Sequence, residues 1–187
     1  MKFFKITMKQ TIFLLAILVS FHVLSQKQTP RLTNTVVIGQ FDKAEDRFSV
    51  EINTTELLIA NGIKAMPSLN LLKTGADTKL LSTDSLKALV RSKGFDTYMI
   101  ISVRGYDKRF KKSERQVTLE EALGFGNLFH LYRNEATSVT FEFTFFRENK
   151  IIFRDIMRCE GISDRNIVLK KYRKKLNKRI PKKWPKL

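Results

Sequence analysis

Apolar residues recur along this chain in two rhythms, and the change from one to the other divides it. In the first half, short β-rich runs alternate with segments of helical spacing. Thr35-Val36-Val37-Ile38-Gly39-Gln40-Phe41 predicts a first strand. Glu45 and Asp46 suit the first turn of a helix in which Phe48, Ile52, Thr55 and Ile59 share a face, and Asn61-Gly62 provides a left-handed stop. Ile63 to Met66 predicts a second strand closed by Pro67. A looser connection with a turn at Gly75-Ala76-Asp77 leads to Ser82-Thr83-Asp84, which is helix-start chemistry. Leu86, Leu89 and Val90 form the apolar side of that second helix, and Gly94 ends it. The run Tyr98 to Ile101 within Gly94–Tyr106 is continuously apolar, as a strand covered on both faces should be. Strand, helix, strand, helix, strand with short links predicts parallel pairing through right-handed crossovers.

After Tyr106 the rhythm changes. A polar loop, Asp107 to Arg115, precedes Thr118-Leu119-Glu120-Glu121, a capping box for a short helix. Leu128, Phe129, Leu131 and Tyr132 then make an apolar cluster, read as a buried wrap over one end of the sheet. Thr137 to Phe146 alternates, with Val139, Phe141, Phe143 and Phe145 on one face and Ser138, Thr140, Glu142 and Thr144 on the other. Matching apolar faces across a hairpin sets Phe145 opposite Ile151, Phe143 opposite Phe153 and Val139 opposite Met157, around a three-residue loop Arg147-Glu148-Asn149. That register puts Asp155 on the apolar face opposite Phe141, and a bulge that turns it outward is the expected remedy. Ser163-Asp164 opens a last helix in which Val168, Tyr172 and Leu176 fall at spacing four, with Pro181 ending regular structure. The expected fold is therefore α/β: a single domain with a mixed five-stranded sheet, a parallel βαβαβ half joined to an antiparallel hairpin, and a carboxyl-terminal helix.

Composition changes this picture at the two ends. The chain has 187 residues, 43% of them apolar, with 15 Phe, enough for one core. The first residues read as an export signal, 1–25: Lys2, Lys5 and Lys9, then the apolar run Ile12 to Val19, then Val23-Leu24-Ser25 before Gln26. That run is shorter than the roughly 20 residues a membrane-spanning helix needs, so cleavage is expected, with a periplasmic or extracellular product. Residues 26–34 read as a flexible lead-in, 35–169 as the α/β domain, and 170–187 as a basic helix end and tail. The formal net charge is +17. Its excess lies in Lys170, Lys171, Arg173, Lys174, Lys175, Lys178, Arg179, Lys182, Lys183 and Lys186, with no acidic residue after Asp164. Such a run predicts an anionic partner, a membrane surface or an envelope protein, while export makes nucleic acid a less natural one.

Candidate chemistry is sparse. Cys159 is the only cysteine, so no intramolecular disulfide can form, and it reads as a buried apolar residue. His130 is the only histidine beyond the signal, and with Cys159 it shows no metal-ligand spacing, so neither a metal site nor a catalytic triad is indicated. Gly124-x-Gly126 follows no strand, so no nucleotide cofactor is expected. One weak site remains. Asp42 and Asp107 follow parallel strands, at the end where open α/β sheets hold ligands, and Arg104 and Tyr106 would share that edge.

Gly62-Ile63-Lys64-Ala65-Met66-Pro67 and Gly94-Phe95-Asp96-Thr97-Tyr98-Met99-Ile100-Ile101 resemble uncharacterised secreted or lipoprotein α/β domains of the bacterial envelope. More distantly, Thr35 to Tyr106 resembles the TolB amino-terminal domain and penicillin-binding-protein activator lipoproteins. The resemblance implies a fold and a compartment and transfers no functional residue; the chain also lacks a lipidation cysteine. Two functions are compatible with these residues: a non-enzymatic envelope domain that binds through its basic tail, and a hydrolase-like enzyme with a polar site at the carboxyl ends of the parallel strands.

Overall fold

The computed structural model describes residues 32–73, 76–125 and 128–184. The expected signal 1–25, most of the lead-in, Gly75, Gly126 and Lys186 lie outside them. Strands β1 (Asn34–Gln40), β2 (Lys64–Pro67), β3 (Thr97–Tyr106), β4 (Ser138–Arg147) and β5 (Lys150–Glu160) form one five-stranded sheet in the order β2-β1-β3-β4-β5. β1 runs parallel to both β2 and β3, and β3, β4 and β5 are antiparallel in turn. The mixed α/β sheet expected from the two rhythms is the one present. β3 is the central strand: Met99 and Ile101 face one core, Tyr98 and Ile100 the other.

Among the described residues four α-helices cover the sheet: α1 (Ala44–Ala60), α2 (Asp84–Ser92), α3 (Leu119–Leu123) and α4 (Arg165–Lys183). α1 and α4 share the larger core with the Phe row of β4, while Val90 of α2 and Leu119 and Leu123 of α3 fill the smaller one. The capping box at Thr118 and Glu121 is formed as its sequence predicts. α1 and α4 are tied by Thr54 and Tyr172. The Thr54 hydroxyl donates to the Val50 carbonyl at 2.7 Å, so its oxygen accepts from the Tyr172 hydroxyl at 2.6 Å. Burial pushes the Tyr172 pKa up, which keeps that phenol a donor.

Local sequence misleads at three places. On α1 the buried face is Val50, Thr54, Leu57 and Leu58, whereas Phe48 and Ile59 are each 57% exposed. The inner face is disguised by buried charges, Arg47 and Glu51 among them. Glu51 Oε1 accepts from Gly39 N at 2.8 Å, Arg47 Nε at 3.0 Å and Ser68 Oγ at 2.7 Å, and Arg47 also donates to Ser68 Oγ at 2.8 Å. A paired and hydrogen-bonded ion pair can occupy a core position that hydrophobicity alone assigns outward.

The hairpin departs from expectation as well. Its loop has two residues, Glu148 and Asn149, with φ of 48° and 64°, the doubly left-handed conformation that matches strand twist. Phe145 faces Phe153 and Phe146 faces Ile151, so Ile152 is an extra residue in β5, and beyond it Phe143 pairs with Asp155, Phe141 with Met157 and Val139 with Cys159. The bulge leaves Asp155 on the core side, fully buried. Asp155 is stabilised there by partners: Arg179 donates to both of its oxygens, Trp184 Nε1 donates to Oδ2 at 3.0 Å, and Ile156 N donates to Oδ1 at 3.0 Å. Burial raises its pKa, but the bonds from Arg179 and Trp184 outweigh that and hold the carboxyl below its ordinary value.

Those partners explain the third departure. α4 continues through Pro181 to Lys183, and Val168, Tyr172, Leu176, Ile180 and Trp184, every fourth residue, are all buried. Pro181 removes one donor from the final turn, yet Trp184 N still donates to Ile180 O at 3.1 Å. Packing of Ile180 and Trp184 on either side overrides the proline's preference. Leu32, at the end of the expected lead-in, is buried too.

Candidate functional site

The basic residues of the carboxyl-terminal segment lie on the packed helix α4, which runs unbroken across Lys170, and spacing four sorts them into rows. One row is Lys171, Lys175 and Arg179. Lys171 Nζ donates to Glu160 O, Lys175 Nζ to Arg158 O and Arg179 to Ile156 O, each at 2.6 Å. Those carbonyls lie on β5, which among the described residues is an edge strand of the sheet. The match is geometric. Four residues of helix advance about 6 Å and two of strand about 6.7 Å, so one turn of cations keeps step with alternate carbonyls running the other way. This row covers an exposed sheet edge, a recognised hazard for unwanted pairing.

A second row, Lys170, Lys174, Lys178 and Lys182, points outward; all four are exposed and, among the described residues, have no hydrogen-bond or ion-pair partner. Arg173 instead bridges to α1, donating to Glu56 at 2.6 Å and Asn53 at 2.7 Å. Lys183 is exposed at the helix end, close enough to Asp155 to contribute to that carboxyl's lowered pKa. Spacing at four could have separated the two lysine rows in the sequence; only knowledge of which face meets β5 assigns their roles.

The four residues of the expected ligand edge are divided between the faces of the sheet. Arg104 is the extra residue of a bulge in β3, since Val103 pairs with Phe141 and Gly105 with Thr140. Gly105 has φ of 145°, and a Cβ there would lie 2.6 Å from Phe110 Cζ, so only glycine allows the loop to fold back on the strand. Strict alternation would put Arg104 and Tyr106 on one face. The bulge instead turns Tyr106 into the α1–α4 core, its hydroxyl donating to His130 O at 2.5 Å, while Arg104 stays on the other face with Glu142 at 3.0 Å. Burial pushes the Tyr106 pKa up to about 12. Asp107, at φ of 56°, caps the start of β4: its Oδ1 accepts from Thr137 N at 2.8 Å, Thr137 Oγ1 at 3.0 Å and Ser138 N at 2.9 Å. Desolvation raises its pKa, and these bonds reverse the effect, leaving it lowered. Asp42 is exposed beside His130 Nδ1 at 3.3 Å. Leu131 is buried as the wrap requires, with its N donating to Asp46 at 3.0 Å, but Leu128 and Phe129 are 43% and 40% exposed. Cys159 is buried and its thiol is pushed up to about 11, in keeping with an apolar role.

The cleft on Arg104's side of the sheet is not among the expected sites. Register places Ser102 opposite Glu142 and Thr144 opposite Arg154, so three adjacent strands supply its floor. Glu142 lies 3.0 Å from Arg104 Nε and 3.6 Å from Arg154 Nε, and Arg154 also donates to Ser113 O at 2.9 Å. Two charged residues in the middle of β4 and β5 were the available signal. The expected hairpin register already put Glu142 and Arg154 on one face, and the bulge at Ile152 changes only the residue each one pairs with, Ile156 for Glu142 and Thr144 for Arg154.

Neither a protein family nor a curated protein matches the chain. Among solved structures, it is similar to a PelC dodecamer from Paraburkholderia phytofirmans, at 11% identity and a TM-score of 0.44 over 81% of this chain and 86% of that one. A substituted PelC dodecamer from the same organism gives 12% and 0.45, over 81% and 90%. Lipoprotein GNA1162 from Neisseria meningitidis gives 12% and 0.41, over 78% and 96%. Neither name is that of a TolB domain or a penicillin-binding-protein activator, so these structures leave that finer resemblance an expectation. At so low a similarity none of these structures carries an argument about function. Among the described residues no helix is long and apolar enough to cross a membrane, and no cluster of metal-ligating side chains occurs.

Proposed function

We propose that this chain is a non-enzymatic exported domain of the cell envelope that binds an anionic membrane surface through the outer face of α4. The supporting observation is the row Lys170, Lys174, Lys178 and Lys182, exposed on a rigidly packed helix without an acidic neighbour in sequence. A cationic row on a packed helix costs no backbone ordering on binding, unlike a flexible tail. Each such lysine near an anionic leaflet contributes about 1 kcal/mol, falling off within a Debye length. The row carries no apolar residue, so attachment is peripheral and electrostatic rather than insertive.

Hydrolase-like chemistry at Asp42 and Asp107 has less support, because the Asp107 carboxylate is engaged in capping β4 and Arg104 faces away from Tyr106. Co-sedimentation with vesicles tests the proposal. Binding to phosphatidylglycerol-containing vesicles and not to pure phosphatidylcholine, reversed by raising salt, is the expected result. Equal retention on both vesicle types would refute it, and retention on neither would point to an acidic protein as the partner.

A further inference from the structure

The cleft over β3, β4 and β5 has a volume of about 420 Å³ and is independent of α4. Its charge is unbalanced: among the described residues, Arg104, Arg115 and Arg154 line it against a single acid, Glu142. Glu142 has a side chain only 6% exposed and Arg154 one only 10% exposed, while Arg104 is 40% exposed at the open side. Burying ions in this way costs free energy that ion pairing rarely returns, so the cluster is weak evidence for a stability role.

The pairing is also incomplete. Among the described residues, Glu142 Oε1 and Arg154 Nε are buried without a hydrogen-bond partner, and at 3.6 Å apart they are too distant to bond each other. Burial lowers the Arg154 pKa, Glu142 opposes that, and Arg104 adds to it, as expected of two guanidinium groups held together by one carboxylate. Around this charged floor the lining is mixed. Ser102 and Thr144 present hydroxyls, and Phe125 and Phe129, 46% and 40% exposed, stand at the mouth. Arg115 lies over the Phe125 ring at 5.6 Å, which positions a third guanidinium beside an apolar wall.

We propose that this cleft binds a small organic oxyanion, a phosphate or carboxylate attached to a flat apolar body, with Arg104 and Arg115 contacting the anion and Phe125 and Phe129 the body. Guanidinium groups suit this ligand because their planar donors match phosphate and carboxylate oxygens in pairs. Arg104 meets the Glu142 carboxylate through Nε at 3.0 Å, and no second acid lines the cleft among the described residues. A concave site with a few convergent polar groups and an apolar rim is the usual form of a small-molecule site.

Isothermal titration of the whole protein with phenyl phosphate and, separately, benzoate tests the proposal and distinguishes the two anions. It should be run at physiological salt, which screens the exposed α4 lysines. The expected result is one-to-one binding of at least one probe, weakened about tenfold or more in Arg104→Gln, the scale of a lost charge-assisted bond. Arg115→Gln, at an exposed loop position, is the second variant and should weaken binding in the same direction. The variant in which Lys170, Lys174, Lys178 and Lys182 are all Gln should bind unchanged. The proposal fails if neither probe saturates at millimolar concentration, if both arginine variants bind as well as the parent, or if the lysine variant loses binding.

Discussion

Arg179 separates a structural cation from a binding cation, and its replacement by Gln should unfold the protein more readily without a selective effect on anion binding. The guanidinium donates to both oxygens of Asp155 and to the Ile156 carbonyl, and Asp155 is fully buried. Removing one partner of a buried ion pair costs about 3–5 kcal/mol, because the other charge remains without water. Two features place Arg179→Gln at or below the low end of that range. Trp184 Nε1 and Ile156 N continue to donate to Asp155, and the Arg179 side chain is 23% exposed, so water can take up part of its place. A loss of about 2–3 kcal/mol follows, equivalent to a Tm drop of roughly 4–12 °C for a domain of this size. Thermal unfolding followed by circular dichroism, with urea unfolding as a check, measures it. The fourfold change of Lys170, Lys174, Lys178 and Lys182 to Gln should move Tm little, since exposed charges contribute little to stability. A Tm for Arg179→Gln within a degree or so of the parent would refute the assignment of Asp155 and Arg179 as a folding contact.

Three further outcomes follow from the same geometry. Asp155 has a lowered pKa in the folded state, so the stability it contributes is present above the ordinary carboxyl range and is lost as pH falls through the lowered folded value; urea midpoints should decline in that acid window and decline less in Asp155→Asn, measured against its own neutral-pH value. Tyr172→Phe removes the bond to Thr54 inside the α1–α4 contact and should cost about 1 kcal/mol in urea unfolding. The Cys159 thiol, buried and raised to about 11, should resist a thiol-reactive dye at neutral pH until the protein is denatured, and rapid labelling of the native form would contradict its placement.

The parallel half was legible because its signals are long and local. Tyr98 to Ile101 is apolar without interruption, and Asn61-Gly62 and Lys93-Gly94 end their helices with glycines at φ of 75° and 77°. What escaped were single-residue insertions and paired charges. A bulge at Ile152 moves the hairpin register by one residue, and one at Arg104 separates two neighbours that alternation joins. Neither residue is unusual in type; bulges are fixed by cross-strand packing rather than by local composition. Arg47 and Glu51 hid the inner face of α1 because hydrophobicity counts a charge as outward whether or not its partner is present. The basic run was visible as a run, but its division into edge caps and a free row depends on β5 lying alongside, which no local pattern contains.

In the proposed function the outward lysine row of α4, and not the row that caps β5, holds the protein to an anionic surface. The direct test compares vesicle affinity, at fixed low salt and phosphatidylglycerol content, of the parent chain with Lys170, Lys174, Lys178 and Lys182 all changed to Gln. At about 1 kcal/mol per lysine, the predicted loss is roughly a thousandfold at unchanged Tm. Full affinity in the fourfold variant would contradict the claim.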